Sequence, residues 1–170
     1  MVAVRTYALY GVGTEGAKKI GGRYNVAGSF GALYLSDRPD TVVHEVHQRL
    51  NVGKFSNAVL APFLLLSFSF QLSKVLDLRN PKVVAALKLG SNDLDQNWKD
   101  LNRKGKLANT QRLAMYCYGL GFEGIVVPSV RLPSTYNLVI FDQLGSNSFW
   151  QPQGEELLKP LRNVYPSKLS

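Results

Sequence analysis

The chain has 170 residues, with 20 Lys plus Arg against 12 Asp plus Glu, for a formal net charge of +8. A chain of this length makes one domain rather than two and buries roughly 70% of its unfolded surface, so it needs no metal or disulfide staple. The 45% hydrophobic and 19% charged content excludes disorder, and the single cysteine, Cys117, excludes an internal disulfide or a cysteine-based zinc site, leaving the charge as the one compositional pointer, toward an anionic partner.

The elements follow in chain order. Val2 to Tyr10, rich in Val and Tyr, predicts a first strand. Gly11, Gly13, Gly16, Gly21 and Gly22 then predict a long glycine-punctuated loop. Phe30 to Ser36 reads as a second strand. From Asp37 to Leu50 an amphipathic helix is expected, with Asp37 or Asp40 as N-cap, Pro39 in the first turn, and Val42, Val43, Val46 and Leu50 on one face. The most apolar run, Ala58 to Phe70, is too short to span a bilayer as a helix and carries Pro62, so a buried strand from Phe63 to Phe70 is the cheaper reading. Val75 to Leu78 is a short extended piece, and Pro81 to Leu89 and Thr110 to Tyr118 are helices closed by glycines. Ile125 to Val130 and Leu138 to Asp142 are two further strands, while Asn92 to Lys106 is polar and the stretch after Gly145 irregular. Strands and helices without a regular β-α-β alternation predict an α+β domain over residues 1–170, with mixed, mostly antiparallel sheets, flanking helices, and residues 145–170 as an extension packing on it. The N-terminus lacks the charged-then-apolar pattern of a secretory signal, and the Ser-Lys-Leu tripeptide near the end is not terminal, so cytoplasmic action is expected.

Several motifs invite chemistry. Gly11-x-Gly13-x-x-Gly16 matches a dinucleotide fingerprint, but only Ala17 to Ile20 intervene before the next glycines. That is too short for the helix whose N-terminus must receive a pyrophosphate. His44 and His47 stand at i and i+3 rather than the i and i+4 of a helical zinc pair, and no third histidine exists. Glu45 lies about 115° from the centre of the apolar stripe, where it pairs naturally with Arg49 one turn on. In Gly21-Gly22-Arg23-Tyr24-Asn25 two bulk-free residues precede a guanidinium, a combination suited to a phosphate but equally to a plain turn with Arg23 on the surface. Pro128-Ser129 within an apolar strand implies an edge or bulge that turns Ser129 toward a cleft. Lys99, Arg103, Lys104 and Lys106 are interrupted by Asp100 and lack interleaved aromatics, so they read as a solvated face rather than a nucleic-acid site.

Taken in order, Gly11 to Asn25, Gly31 to Glu45 and Thr110 to Asp142 resemble the RES domain family, named for its Arg, Glu and Ser. The succession of GGRYN, an LYLS strand, a helix bearing Glu, and PS followed by an NLVIF strand carries the likeness from the first strand to about Gly145. The resemblance implies a fold similar to ADP-ribosyltransferases and an enzyme that destroys NAD by glycohydrolysis or phosphorolysis. It also implies a bacterial toxin whose partner is an Xre-type antitoxin protein. The catalytic set it implies is Arg23, Glu45 and Ser129, with Arg23, Tyr24, Tyr34 and Asn137 binding NAD as substrate. No metal or resident cofactor is implied, phosphate being a candidate co-substrate, and neither nucleic acid nor membrane is an expected direct partner. An ADP-ribosyltransferase acting on a macromolecule, a catalytically silent anion-binding module, self-association and delivery as a secreted effector all stay open.

Overall fold

The computed structural model describes residues 2–9, 14–39, 41–42, 65–90, 92–129, 132 and 134–153. Among the described residues, seven strands form one sheet: β1 (Val2–Leu9), β2 (Ala32–Ser36), β3 (Leu65–Leu72), β4 (Val75–Asp77), β5 (Gly124–Pro128), β6 (Tyr136–Phe141) and β7 (Phe149–Gln153), in the spatial order β4-β5-β6-β2-β1-β3-β7. Only β4 and β5 run parallel; every other pair is antiparallel. At the middle of the sheet, β1 meets β2 with Tyr7 opposite Ser36. To one side β1 and β3 pair along their whole length, and to the other β2 and β6 do the same. The mixed helices and sheet in one domain agree with the α+β expectation, although the anticipated sheets are joined into one.

Among the described residues, the helices with both ends placed are α1 (Glu15–Ile20), α2 (Pro81–Ala86), α3 (Trp98–Arg103) and α4 (Asn109–Gly119). Each starts for a local reason. In α2, Pro81 has no N–H to leave unpaired, and the Asn80 side chain accepts from the Lys82 N–H at 3.0 Å. In α4, the third residue, Gln111, reaches back to accept the Ala108 N–H at 3.1 Å, half of a capping box.

Strand alternation divides the core in two. Ile125, Val127, Val139, Phe141 and Ala32 face α4, where Ala114 and Cys117 meet them, and Phe30 stacks on Tyr118 at 4.4 Å. The alternate residues Val126, Leu138, Ile140 and Leu35 join Phe68, Phe70 and Leu72 of β3 on the opposite face.

Some expectations need correction. The glycine-rich stretch is not a continuous loop, because Glu15 to Ile20 form α1, with Glu15 in the first turn and Lys18 and Lys19 in the last. A glycine costs only about 1 kcal/mol in a helix, and the favourable end charges offset part of that for Gly16. The stretch after Gly145 is not irregular throughout. Phe149–Gln153 forms β7 at the sheet edge, where Pro152 can sit because an edge strand leaves N–H positions unused. Pro39, Thr41 and Val42 are helical, and the rest of the expected 37–50 helix lies outside the described residues. The Asp37 carboxylate accepts the Tyr136 N–H from β6 at 3.2 Å.

Candidate functional site

The glycine pair after α1 is required by the geometry around it. Gly21 has φ +80°, and a Cβ there would stand 2.9 Å from the Ala27 nitrogen. A Cβ on Gly22 would collide with the Tyr34 hydroxyl and come within 2.8 Å of Asn25 Oδ1. The Gly22 N–H donates to the Asn25 carbonyl at 2.8 Å, closing a tight turn with Arg23 and Tyr24 at its tip.

Asn25 is fully buried and organises that turn. Its Nδ2 donates to the carbonyls of Ala17 (2.7 Å) and Phe30 (3.3 Å), and its Oδ1 accepts the Tyr34 hydroxyl proton at 2.8 Å. The same hydroxyl accepts the Tyr24 N–H at 3.0 Å. From α4, Gln111 Nε2 donates to the Gly22 carbonyl at 3.0 Å. Because buried polar groups are expensive unless paired, this closed set of bonds fixes the loop.

Arg23 leaves the tip sideways. Its NH1 donates to the carbonyls of Leu94 (2.9 Å) and Gln96 (3.2 Å), and its NH2 stands 3.9 Å from the Asp95 carboxylate. The side chain is 23% exposed, so it is neither a free surface arginine nor a sealed core one. Tyr24 is 3% exposed and belongs to the core cluster with Phe30; burial, only partly opposed by Arg23, raises its hydroxyl pKa far above the usual tyrosine range.

Tyr34 continues along β2 to Ser36, and Ser36 lies opposite Asn137 of β6. The Ser36 hydroxyl donates to Asn137 Oδ1 at 2.5 Å. Tyr34 and Ser36 share the face of β2 that looks toward α4, so a polar pair succeeds the aromatic ring at the strand end. Across from Asn137 in β5 stands Val127, and Ser129 follows two residues later. The Ser129 N–H donates to the Thr135 carbonyl at 2.9 Å, and its Oγ accepts the Leu132 N–H at 3.2 Å. Pro128 is tolerated there as an edge position, because β4 accompanies β5 only from Gly124 to Val126.

Tyr24 and Tyr34 are thus bonded to each other with Arg23 preceding Tyr24 in the same turn, and Asn137 lies on the same sheet face one side-chain pair beyond Tyr34. Ser129 lies at the end of β5, bonded within its own turn. Glu45, His44, His47 and Arg49 lie outside the described residues. Cys117 is no candidate nucleophile, since burial pushes its thiol up to about 11. The residues that sequence reasoning passed over are Asn25, Gln111 and the 93–96 segment. Gln at the third position of a helix and the run of Asn and Asp from Asn92 to Asn97 were the available signals.

The RES domain profile matches residues 5–154, and the chain belongs to the RES domain family. Among solved structures, it is similar to a chain in the crystal structure of the M. tuberculosis MbcT–MbcA toxin–antitoxin complex, with a TM-score of 0.67 and 21% identity over 95% of this chain and 90% of that one. No curated protein sequence matches the chain. No helix among the described residues is long and apolar enough to cross a membrane.

Proposed function

We propose that this protein is a toxin-like enzyme that cleaves the nicotinamide–ribose bond of NAD, restrained in its cell by an antitoxin of the Xre type. The observation that carries the reading is the Gly21–Asn25 turn. Two glycines and a fully buried asparagine hold the turn that carries a partly exposed guanidinium, a combination that suits a dinucleotide diphosphate. Membership of the RES family supports the NAD chemistry, and the similarity to a toxin–antitoxin complex supports the partner.

In this reading Arg23 binds the diphosphate, and the ring of Tyr34 flanks the nicotinamide or ribose, with Tyr24 forming the buried wall behind it. As the C1′–N bond breaks, its electron pair leaves with neutral nicotinamide and positive charge develops on the ribose. The Glu45 carboxylate stabilises that charge. Water then adds to C1′ and loses a proton, giving ADP-ribose, or a phosphate oxygen adds instead. Asn137 and Ser129 hold the ribose hydroxyls or orient Glu45, and neither acts as a nucleophile. The product carries the diphosphate that Arg23 recognises.

Glu45→Ala is expected to lower kcat at least a thousandfold with a circular-dichroism spectrum and melting curve like those of the parent. Retained NAD turnover in that variant rules Glu45 out as the charge-stabilising group. If the intact protein instead transfers ADP-ribose to a macromolecule, the mass of that acceptor rises, and the same cluster serves a transferase.

A further inference from the structure

We propose that the 93–96 segment, fixed to the first turn of α4 by Asp93 and Asn109, is a clamp that positions Arg23 for a diphosphate ligand. The inference rests on the diphosphate role given to Arg23 above, but not on any cleavage step.

The segment is tied down at both ends. Asp93 Oδ2 accepts the Gly90 N–H at 2.6 Å, and Asp93 Oδ1 accepts from Asn109 Nδ2 at 2.6 Å. Gln96 Oε1 accepts the Asn109 N–H at 2.7 Å, occupying a donor that a helix start otherwise leaves unpaired. Two residues on, Gln111 holds the Gly22 carbonyl. One helical turn therefore fixes both the backbone before Arg23 and the carbonyls that receive its guanidinium.

The consequence for Arg23 is geometric. A guanidinium carries five N–H donors in a rigid plane. Here NH1 is committed to the Leu94 and Gln96 carbonyls, and among the described residues no hydrogen bond uses Nε or NH2. The Nε–NH2 edge is the fork that meets two oxygens of one phosphate. Asp95, 59% exposed and 3.9 Å from NH2, is too distant for a hydrogen bond and yields readily to a stronger anion. Neutral carbonyls can hold a cation without cancelling its charge, which a close carboxylate would do. Asp93 and Asn109 are thus positioning residues, acting through Arg23 without touching the ligand.

The test is a double-mutant cycle on the full chain, with ADP-ribose as the probe and calorimetry as the readout. Arg23→Ala is expected to weaken ADP-ribose binding at least tenfold and Asn109→Ala at least threefold. The double variant should bind no more weakly than Arg23→Ala alone, because Asn109 acts through the missing guanidinium. Additive losses in the double variant, or wild-type affinity in Asn109→Ala, overturn the clamp, as does failure of the parent protein to bind ADP-ribose. Should Asn109→Ala unfold, Asn109→Asp serves instead, setting a carboxylate with no donor against Asp93 Oδ1. Pairing Asp93→Asn with Asn109→Asp should restore binding by reversing the hydrogen bond. NAD turnover is scored separately: binding that passes the cycle in a protein that leaves NAD intact upholds the clamp and sinks the cleavage reading.

Discussion

The Gly21–Asn25 turn and the turn after Pro128 bear Arg23 and Ser129, two of the residues proposed above for the site, yet they are built in different ways. The first is held by distant groups: Leu94 and Gln96 receive Arg23, Gln111 holds Gly22, and Phe30 and Tyr34 engage Asn25. Among the described residues, the hydrogen bonds of the second come from near neighbours. Leu132 N–H donates to Ser129 Oγ, the Thr135 hydroxyl donates to the Leu132 carbonyl at 2.9 Å, and Ser129 N–H reaches Thr135. A locally closed turn forms whenever its short segment does, whereas the Arg23 turn exists only when α1, β2, the 93–96 segment and α4 have assembled. Arg23 is therefore a sensitive reporter of the whole fold.

The strongest way to break this contrast is at Gln111. Its carboxamide is fully buried and bonds Gly22, Ala108 and, reciprocally, Asn102. Gln111→Ala leaves several buried groups unpaired and should cost about 3 kcal/mol. By thermal denaturation that is a Tm loss of roughly 6–12 °C for a domain of this size. A change under about 1 °C would mean the distant bonds do not hold the first turn.

A smaller effect is expected at Glu123, another group with distant partners. Burial raises its pKa, but hydrogen bonds from Ser148, Gly145, Ser73 and Lys74 outweigh that and hold it below the ordinary glutamate range. Its folded form therefore binds a proton less readily than the unfolded chain, and stability rises with pH through this window. The contribution is complete above the unfolded value of about 4.3 and is lost as pH falls through the lower folded one. Glu123→Gln should lower stability at pH 7 and flatten its decline between about pH 5 and pH 3, as read by urea midpoints. A parallel decline in both proteins contradicts the assignment.

The smallest effect belongs to the locally closed turn. Ser129→Ala removes one acceptor for the Leu132 N–H and should cost only about 0.5–1.5 kcal/mol in stability. On the roles proposed above, its effect on NAD turnover should be well below that of Glu45→Ala. A loss as deep as that of Glu45→Ala would give Ser129 a direct part in the chemistry.

The two turns also differ in how much of them could be read from the sequence. GGRYN and PS were both visible as motifs, and the strands around them follow from short continuous apolar runs such as Ile125 to Val127 and Leu138 to Phe141. Pro128 as an edge position was legible because a residue without an N–H has few places in a sheet. The partners of Arg23 were not, because they are main-chain carbonyls of a polar stretch that local pattern assigns to solvent. The helix α1 was hidden by glycines that usually end helices, and β7 by Pro152 and by its dependence on pairing with β3. Tyr24 illustrates the same limit: an aromatic beside a glycine pair looks like a ligand contact, while its burial among Phe30 and its neighbours is set by the tertiary fold.

The central claim is tested most directly by incubating the purified, antitoxin-free protein with NAD, with and without inorganic phosphate, and following all products by mass spectrometry. The account predicts loss of NAD with free nicotinamide, accompanied by ADP-ribose or, where phosphate is the acceptor, by a phosphorylated ADP-ribose. NAD left intact under every condition by a folded protein would contradict it.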